Sequence, residues 1–324
     1  MPLPIWLIPV ALKGAAVVAG VAGVGSAAQG VMKMKDANDT MEAAKSRHER
    51  NNERFEKENK ETSKSMDKLG KLEMEILHSF GDFADVFEQI KNRPTFENYK
   101  KNGVELPKYD GEKLKEVSVG AGVLLGGLGG AGLGTAGGFV AAGATTAAVM
   151  AFGTASTGTA IASLSGAAAL GAATLGVGLL VGGAIFNFTG GKLSDKADEA
   201  WDQMLKAEAQ INTICAYLVD LRGISKKYYD VVSKVDAIYR KHLSELKDIV
   251  YIQGHTDWRT FTAEQRKITE NTVLLVGLLY SMCKIALVLK GENENDMNKI
   301  NKTEINRAIN NANTVLEDKF QDAK

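Results

Sequence analysis

Five glycines, Gly122, Gly126, Gly130, Gly134 and Gly138, recur at intervals of four residues. On a helix they form one ridge bare of side chains, which lets a second backbone approach closely. Gly158 and Gly166 continue this spacing through Ala162, and Gly178 with Gly182 makes a further small pair. Hydroxyls accompany them at Thr145, Thr146, Thr154, Thr157, Thr159 and Ser163. Lining a narrow lumen, hydroxyls and backbone dipoles would pass water and ions with no charged ring to select a sign. Between packed membrane helices the same hydroxyls would instead hydrogen-bond across the interface. Both readings stand on sequence alone.

The usual signals for catalysis fail on spacing. GLGTAG, residues 132–137, matches G-x-G-x-x-G, but a phosphate cradle needs a strand before it and an acid about 20 residues later. The next acid here is Asp195. Gly191-Lys192 runs into Leu193, so no P-loop is completed. None of the four histidines stands at ligand spacing from another histidine or a cysteine. His48 lies in a charge run and reads as solvated; His242 falls on a helix seam and reads as packing. Cys215 and Cys283 are too few for a disulfide framework and fit buried thiols in a reducing compartment. No serine or cysteine sits in an activated-nucleophile motif. The residues point to no enzyme, no metal and no cofactor.

The elements that must carry the glycines follow from charge. The chain has 324 residues, with 39 basic and 39 acidic side chains. This balance argues against a dedicated nucleic-acid coat. The charges are unevenly spread. Val117 to Gly191 is a run of 75 residues without Asp, Glu, Lys, Arg or Pro, and it holds 21 of the 34 glycines. In water such a helix is poor, since each glycine costs about 1 kcal/mol against alanine. In hydrocarbon the backbone must satisfy its own hydrogen bonds, which enforces a helix. The polar AFGTASTGTA, residues 151–160, reads as a turn between arms at 118–150 and 159–190. Both charged flanks would then lie on one side of the membrane.

The predicted fold class is all-α: long coiled-coil-like helices flanking a Gly/Ala-rich membrane hairpin. Residues 1–34 read as an apolar membrane-associated segment; no Lys or Arg precedes Lys13, as a secretory signal would require. Residues 35–92 form a charged, solvated helix that ends in an apolar stripe including Phe80, Phe83 and Phe87, read as packing surface. Residues 93–116 carry Pro94, Gly103, Pro107 and Gly111 and read as an irregular connector. Its Lys100, Lys101, Lys108, Lys113 and Lys115 suit anionic lipid or another anionic ligand, and equally a solvated loop. The hairpin occupies 117–191. Residues 192–252 form a long heptad-like helix with Ile211, Ile214, Leu218, Leu221, Ile224, Tyr228, Val231, Val235 and Ile238 on its seam, and a stammer after Leu221. Residues 253–290 give a turn and an apolar bundle helix, and 291–324 an Asn-rich C-terminal helix.

At GTASTGTAIASLSGAAALGAATLGVG, residues 153–178, the chain resembles bacterial glycine-zipper-hairpin proteins that join such a hairpin to long charged helices. Its architecture is similar to helical pore-forming toxins and apolipoprotein-L-like proteins. More weakly, it resembles the Hailong-type anti-phage membrane channel effectors. The resemblance covers under half of the chain and carries over no ligand-binding residue. It implies a homo-oligomeric channel in membrane lipid, held shut by a regulatory ligand or partner protein (in the Hailong type a nucleic-acid oligomer) and opened on infection. The expected location is a bacterial cytoplasmic membrane, with the soluble helices in the cytoplasm. The lack of a clear signal peptide favours such an effector over a secreted toxin.

Overall fold

In the computed structural model, residues 24–97, 99–101, 103–106, 110–128, 193–289 and 298–320 are described. They are mostly helical. Five α-helices carry the fold: α1 (Val24–Glu88), α2 (Gly111–Leu128), α3 (Leu193–Lys247), α4 (Ala263–Cys283) and α5 (Lys302–Lys319). Two short antiparallel ribbons serve as connectors. β1 (Lys100–Lys101) pairs with β2 (Val104–Glu105), and β3 (Val288–Leu289) with β4 (Lys299–Ile300).

The frame is α1 against α3. At 1.5 Å per residue these helices are about 97 and 82 Å long, too long to hide an apolar stripe alone. Their contacts fix the direction. Arg47 pairs with Glu208 at 2.8 Å, Arg222 with Glu58 at 2.9 Å, and Lys247 with Asp82 at 2.7 Å. Thr62 Oγ1 donates to the Leu218 carbonyl at 3.0 Å, and the Tyr239 hydroxyl to the Ser79 carbonyl at 3.2 Å. The sequence offset stays near 160 along the whole contact, so the two helices are parallel.

The seam of α3 departs from the expected one. Ala197, Ala200, Met204, Ala207, Ile211, Ile214, Leu218, Leu221, Ser225, Tyr228, Val232, Val235 and Tyr239 are all buried. Their steps alternate strictly between 3 and 4, so the stammer predicted after Leu221 does not occur. Ile224, Val231 and Ile238 are only partly buried beside the seam. Polar residues took their expected places because they found partners. Ser225 Oγ meets Ser65 Oγ at 3.3 Å, and Tyr239 meets Ser79.

In α1 the seam is also longer than its apolar residues suggest. Ala37, Ala44, His48, Asn51 and Phe55 are buried on the N-terminal half, and Thr62 just past the midpoint. His48, expected to be solvated, is 8% exposed; burial lowers its pKa below the ordinary value. The half with Ala37, Ala44, Ala197 and Ala200 buries little area and is held weakly. Arg47 reinforces it, stacking 5.7 Å above the Trp201 ring while pairing with Glu208.

At the other end three helices thicken the pair into a bundle. α4 runs antiparallel to α3: Tyr228 donates to the Met282 carbonyl at 2.8 Å, and Gln265 to Gln253 at 3.2 Å. α5 runs parallel to α3, from the Lys302–Asp220 ion pair (2.6 Å) to the Phe320 ring 5.6 Å from His242. α2 returns antiparallel along α1. The predicted connector 93–116 is shorter than expected, because α2 begins at Gly111, where Asp110 accepts from the Lys113 N–H at 3.1 Å. Phe80, Phe83 and Phe87 are fully buried, and Phe87, Phe96, Trp258 and Phe261 pack in sequence at the base. Arg93 closes α1 by donating to the Phe87 and Ile90 carbonyls at 3.1 and 2.9 Å. The predicted helix at 263–290 stops at Cys283, and Lys284 caps it from an exposed position.

A capping box starts α4: Thr262 Oγ1 accepts from the Gln265 N–H, and the Gln265 side chain accepts from the Thr262 N–H. Thr262→Ala is expected to cost about 1 kcal/mol in urea unfolding, with helicity unchanged.

Candidate functional site

The candidate site is the start of the charge-free run and the surface that receives it. Val117 to Leu128 make up the last 12 of the 18 residues of α2. The face of α2 turned to α1 carries Leu114, Val117, Ser118 and Ala121, all buried. At the polar end, Lys115 reaches Glu88 at 2.7 Å and Asp85 at 3.2 Å. One turn on, Ser118 Oγ donates to the His78 carbonyl, and His78 Nδ1 lies 3.2 Å from the Ser118 carbonyl. A further turn on, Gly122 faces the His78 ring.

Two glycines make this approach so close. A Cβ on Gly122 would lie 2.8 Å from His78 Nδ1 and 2.9 Å from Cε1. A Cβ on Gly81 would lie 2.5 Å from Ser118 Oγ and 3.2 Å from its Cβ. Both are closer than real Cβ contacts allow. Gly122, the first of the five glycines in register, thus lies against α1.

The remaining expectations divide by position. Gly126 lies in α2. Gly130, Gly134, Gly138, Gly158, Gly166, Gly178 and Gly182 lie outside the described residues, as do Thr145, Thr146, Thr154, Thr157, Thr159, Ser163 and Lys108. Of the cationic candidates, Lys100 pairs with Glu105 at 2.7 Å, Lys101 with Asp318, and Lys115 with Asp85 and Glu88. Lys113 has an exposed side chain. The described lysines thus meet carboxylates of the bundle more than they form an open cationic patch.

The feet of the run are far apart. Ser118 is level with His78 and Gly81, whereas α3 starts at Leu193, opposite residues near 33 of α1 by the offset of the pair. Along the rod that is about 70 Å at 1.5 Å per residue. Among the described residues, no helix is long and apolar enough to cross a membrane.

No protein-family model, curated protein or solved structure matches the chain.

Two other features could carry chemistry. A cleft of about 680 Å³ opens where α3 meets α4, lined by Glu245, Asp248, Glu264, Ser244 and Thr262 among others. Glu245 is engaged by His242 at 3.2 Å and Asp248 by Gln253 at 2.6 Å. Among the described residues, no group of three or more His, Cys, Asp or Glu could hold a metal ion. Deep in the bundle, Glu73 is 4% exposed, near the Tyr228 hydroxyl and the Cys283 thiol. Burial raises the pKa of all three. Sequence reasoning passed over Glu73, but its place between Leu69 and Ile76, at steps of 4 and 3, marks it as a seam position.

Proposed function

We propose that the protein is an oligomeric helical membrane pore or ion channel. It acts as a bacterial defence or cell-death effector, depolarising the membrane when a ligand or partner triggers it. One observation carries this reading: the 75-residue run without charge, with Gly122, Gly126, Gly130, Gly134 and Gly138 in register, joined to a rod of soluble helices. Water offers such a run little reason to form helix, and lipid offers a strong one. The rod supplies what a regulated pore needs besides its lumen, namely surfaces for assembly and for sensing.

The test is ion flux from vesicles of phosphatidylethanolamine and phosphatidylglycerol with purified full-length protein. Gly126→Leu, Gly130→Leu and Gly134→Leu together should abolish flux and toxicity on expression, while the circular dichroism of the long helices persists. Unchanged flux in this variant counts against the pore.

A second reading is a non-conducting anchor or tether. The small and hydroxyl residues of the run favour it, since they can hydrogen-bond and pack helix against helix without leaving a lumen. Membrane binding without flux from the unaltered protein would select it.

A further inference from the structure

We infer that α2, seated on α1, is a latch that withholds the charge-free run from lipid. This inference rests on the membrane reading above and adds how the run is controlled. Gly122 can present its bare face to one partner at a time. In a membrane hairpin that face meets the opposite arm; here it meets His78, so closely that a Cβ at residue 122 would force the ring to shift. The docked and inserted arrangements therefore exclude each other at this residue.

The latch is built to hold without being permanent. Its contacts are small and polar: Ser118 with His78 and Gly81, and Lys115 with Asp85 and Glu88. The apolar side chains it contributes to the core, Leu114, Val117 and Ala121, are buried but few, against the thirteen seam residues that α3 alone buries. The α1–α3 seam behind it carries Phe80, Tyr228 and Tyr239. Undocking α2 thus costs far less than parting the bundle. Glu116 is the last charged residue before Val117, so release frees the uncharged part of α2, Val117 to Leu128.

The geometry supplies its own test. The Cβ positions of residues 81 and 118 are 3.2 Å apart, a few tenths of an ångström inside the usual disulfide range of about 3.5–4.5 Å. Full-length Gly81→Cys/Ser118→Cys protein would be oxidised, checked on a non-reducing gel, and mixed with dye-filled vesicles of phosphatidylethanolamine and phosphatidylglycerol. Native Cys215 and Cys283 are buried. The oxidised form should release at least tenfold less dye than the same protein after dithiothreitol. Equal release from the cross-linked and reduced forms overturns the latch and leaves the pore reading intact. Release from neither form, nor from the wild type, overturns both, since a latch then has nothing to hold. As a second variant, His78→Ala lies outside the run and removes the groove wall facing Gly122. It should speed release several-fold without loss of helicity, and slower or unaltered release counts against the latch.

Discussion

Replacing Phe80 with alanine is expected to remove about 3–5 kcal/mol of unfolding free energy. Phe80 is fully buried. Its ring meets the edge of Tyr239 from α3 at 6.0 Å and the tilted ring of Tyr280 from α4 at 6.5 Å. Truncation thus opens a cavity where three helices converge, and the rods around it cannot collapse to fill the space. Tyr239 also donates to Ser79, one residue from Phe80, so the loss extends into the seam. Guanidinium unfolding followed at 222 nm measures the effect. A loss below about 1 kcal/mol would mean that α1, α3 and α4 do not meet at this point.

The second large effect concerns pH. Glu73 is buried and its pKa is raised well above the ordinary carboxylate range by desolvation. The groups facing it, the Tyr228 hydroxyl from α3 and the Cys283 thiol from α4, are likewise held protonated by burial. Below the ordinary carboxylate pKa, Glu73 is neutral in both folded and unfolded chains and has no effect on the slope. Above it the unfolded chain sheds a proton that the folded chain retains, so stability falls as pH rises. Asp236, also raised by burial against the pull of Arg240, contributes in the same direction. His48 and His242 act oppositely: burial lowers their pKa, and the stability from their neutral forms is lost as pH drops below about 6.5. Glu73→Gln should therefore stabilise the protein by about 1–3 kcal/mol at pH 8 and by little at pH 4. Urea titrations across that range provide the check, and a variant less stable than wild type at pH 8 would refute the assignment.

The helical class, the long α3, the packing role of the phenylalanine stripe and the bundle placement of α4 were legible from charge distribution and apolar spacing. What escaped has a common cause. A reader of spacing follows large apolar side chains, while the fold follows whatever can be buried with a partner. Ser225 and Tyr239 displaced Ile224 and Ile238 from the seam because Ser65 and Ser79 stand opposite them. His48 and Asn51 lie inward on the seam between Ala44 and Phe55, positions that no apolar side chain marks in the sequence. At the candidate site, the glycine spacing announced a close approach but not its partner. The counterpart consists of one histidine, one serine and one glycine, 37 to 44 residues earlier in the chain or within α2 itself. Only the antiparallel return of α2 brings them together, and no local pattern records that return.

The shared direction of α1 and α3 has a mechanical consequence. A compact two-armed hairpin from Ser118 to Gly190 needs its entry and exit side by side, whereas the rod keeps Ser118 and Leu193 about 70 Å apart. While α2 stays seated on α1, closing that gap requires sliding or separating the two longest helices; undocking α2 first lets Ser118 move with the rod intact. On the proposed hairpin reading, a docked α2 on an intact rod and a closed hairpin are competing outcomes of one equilibrium. A molecule that prefers the parted helices acts as an opener by mass action, and one that clamps them acts as a brake, without either touching a glycine.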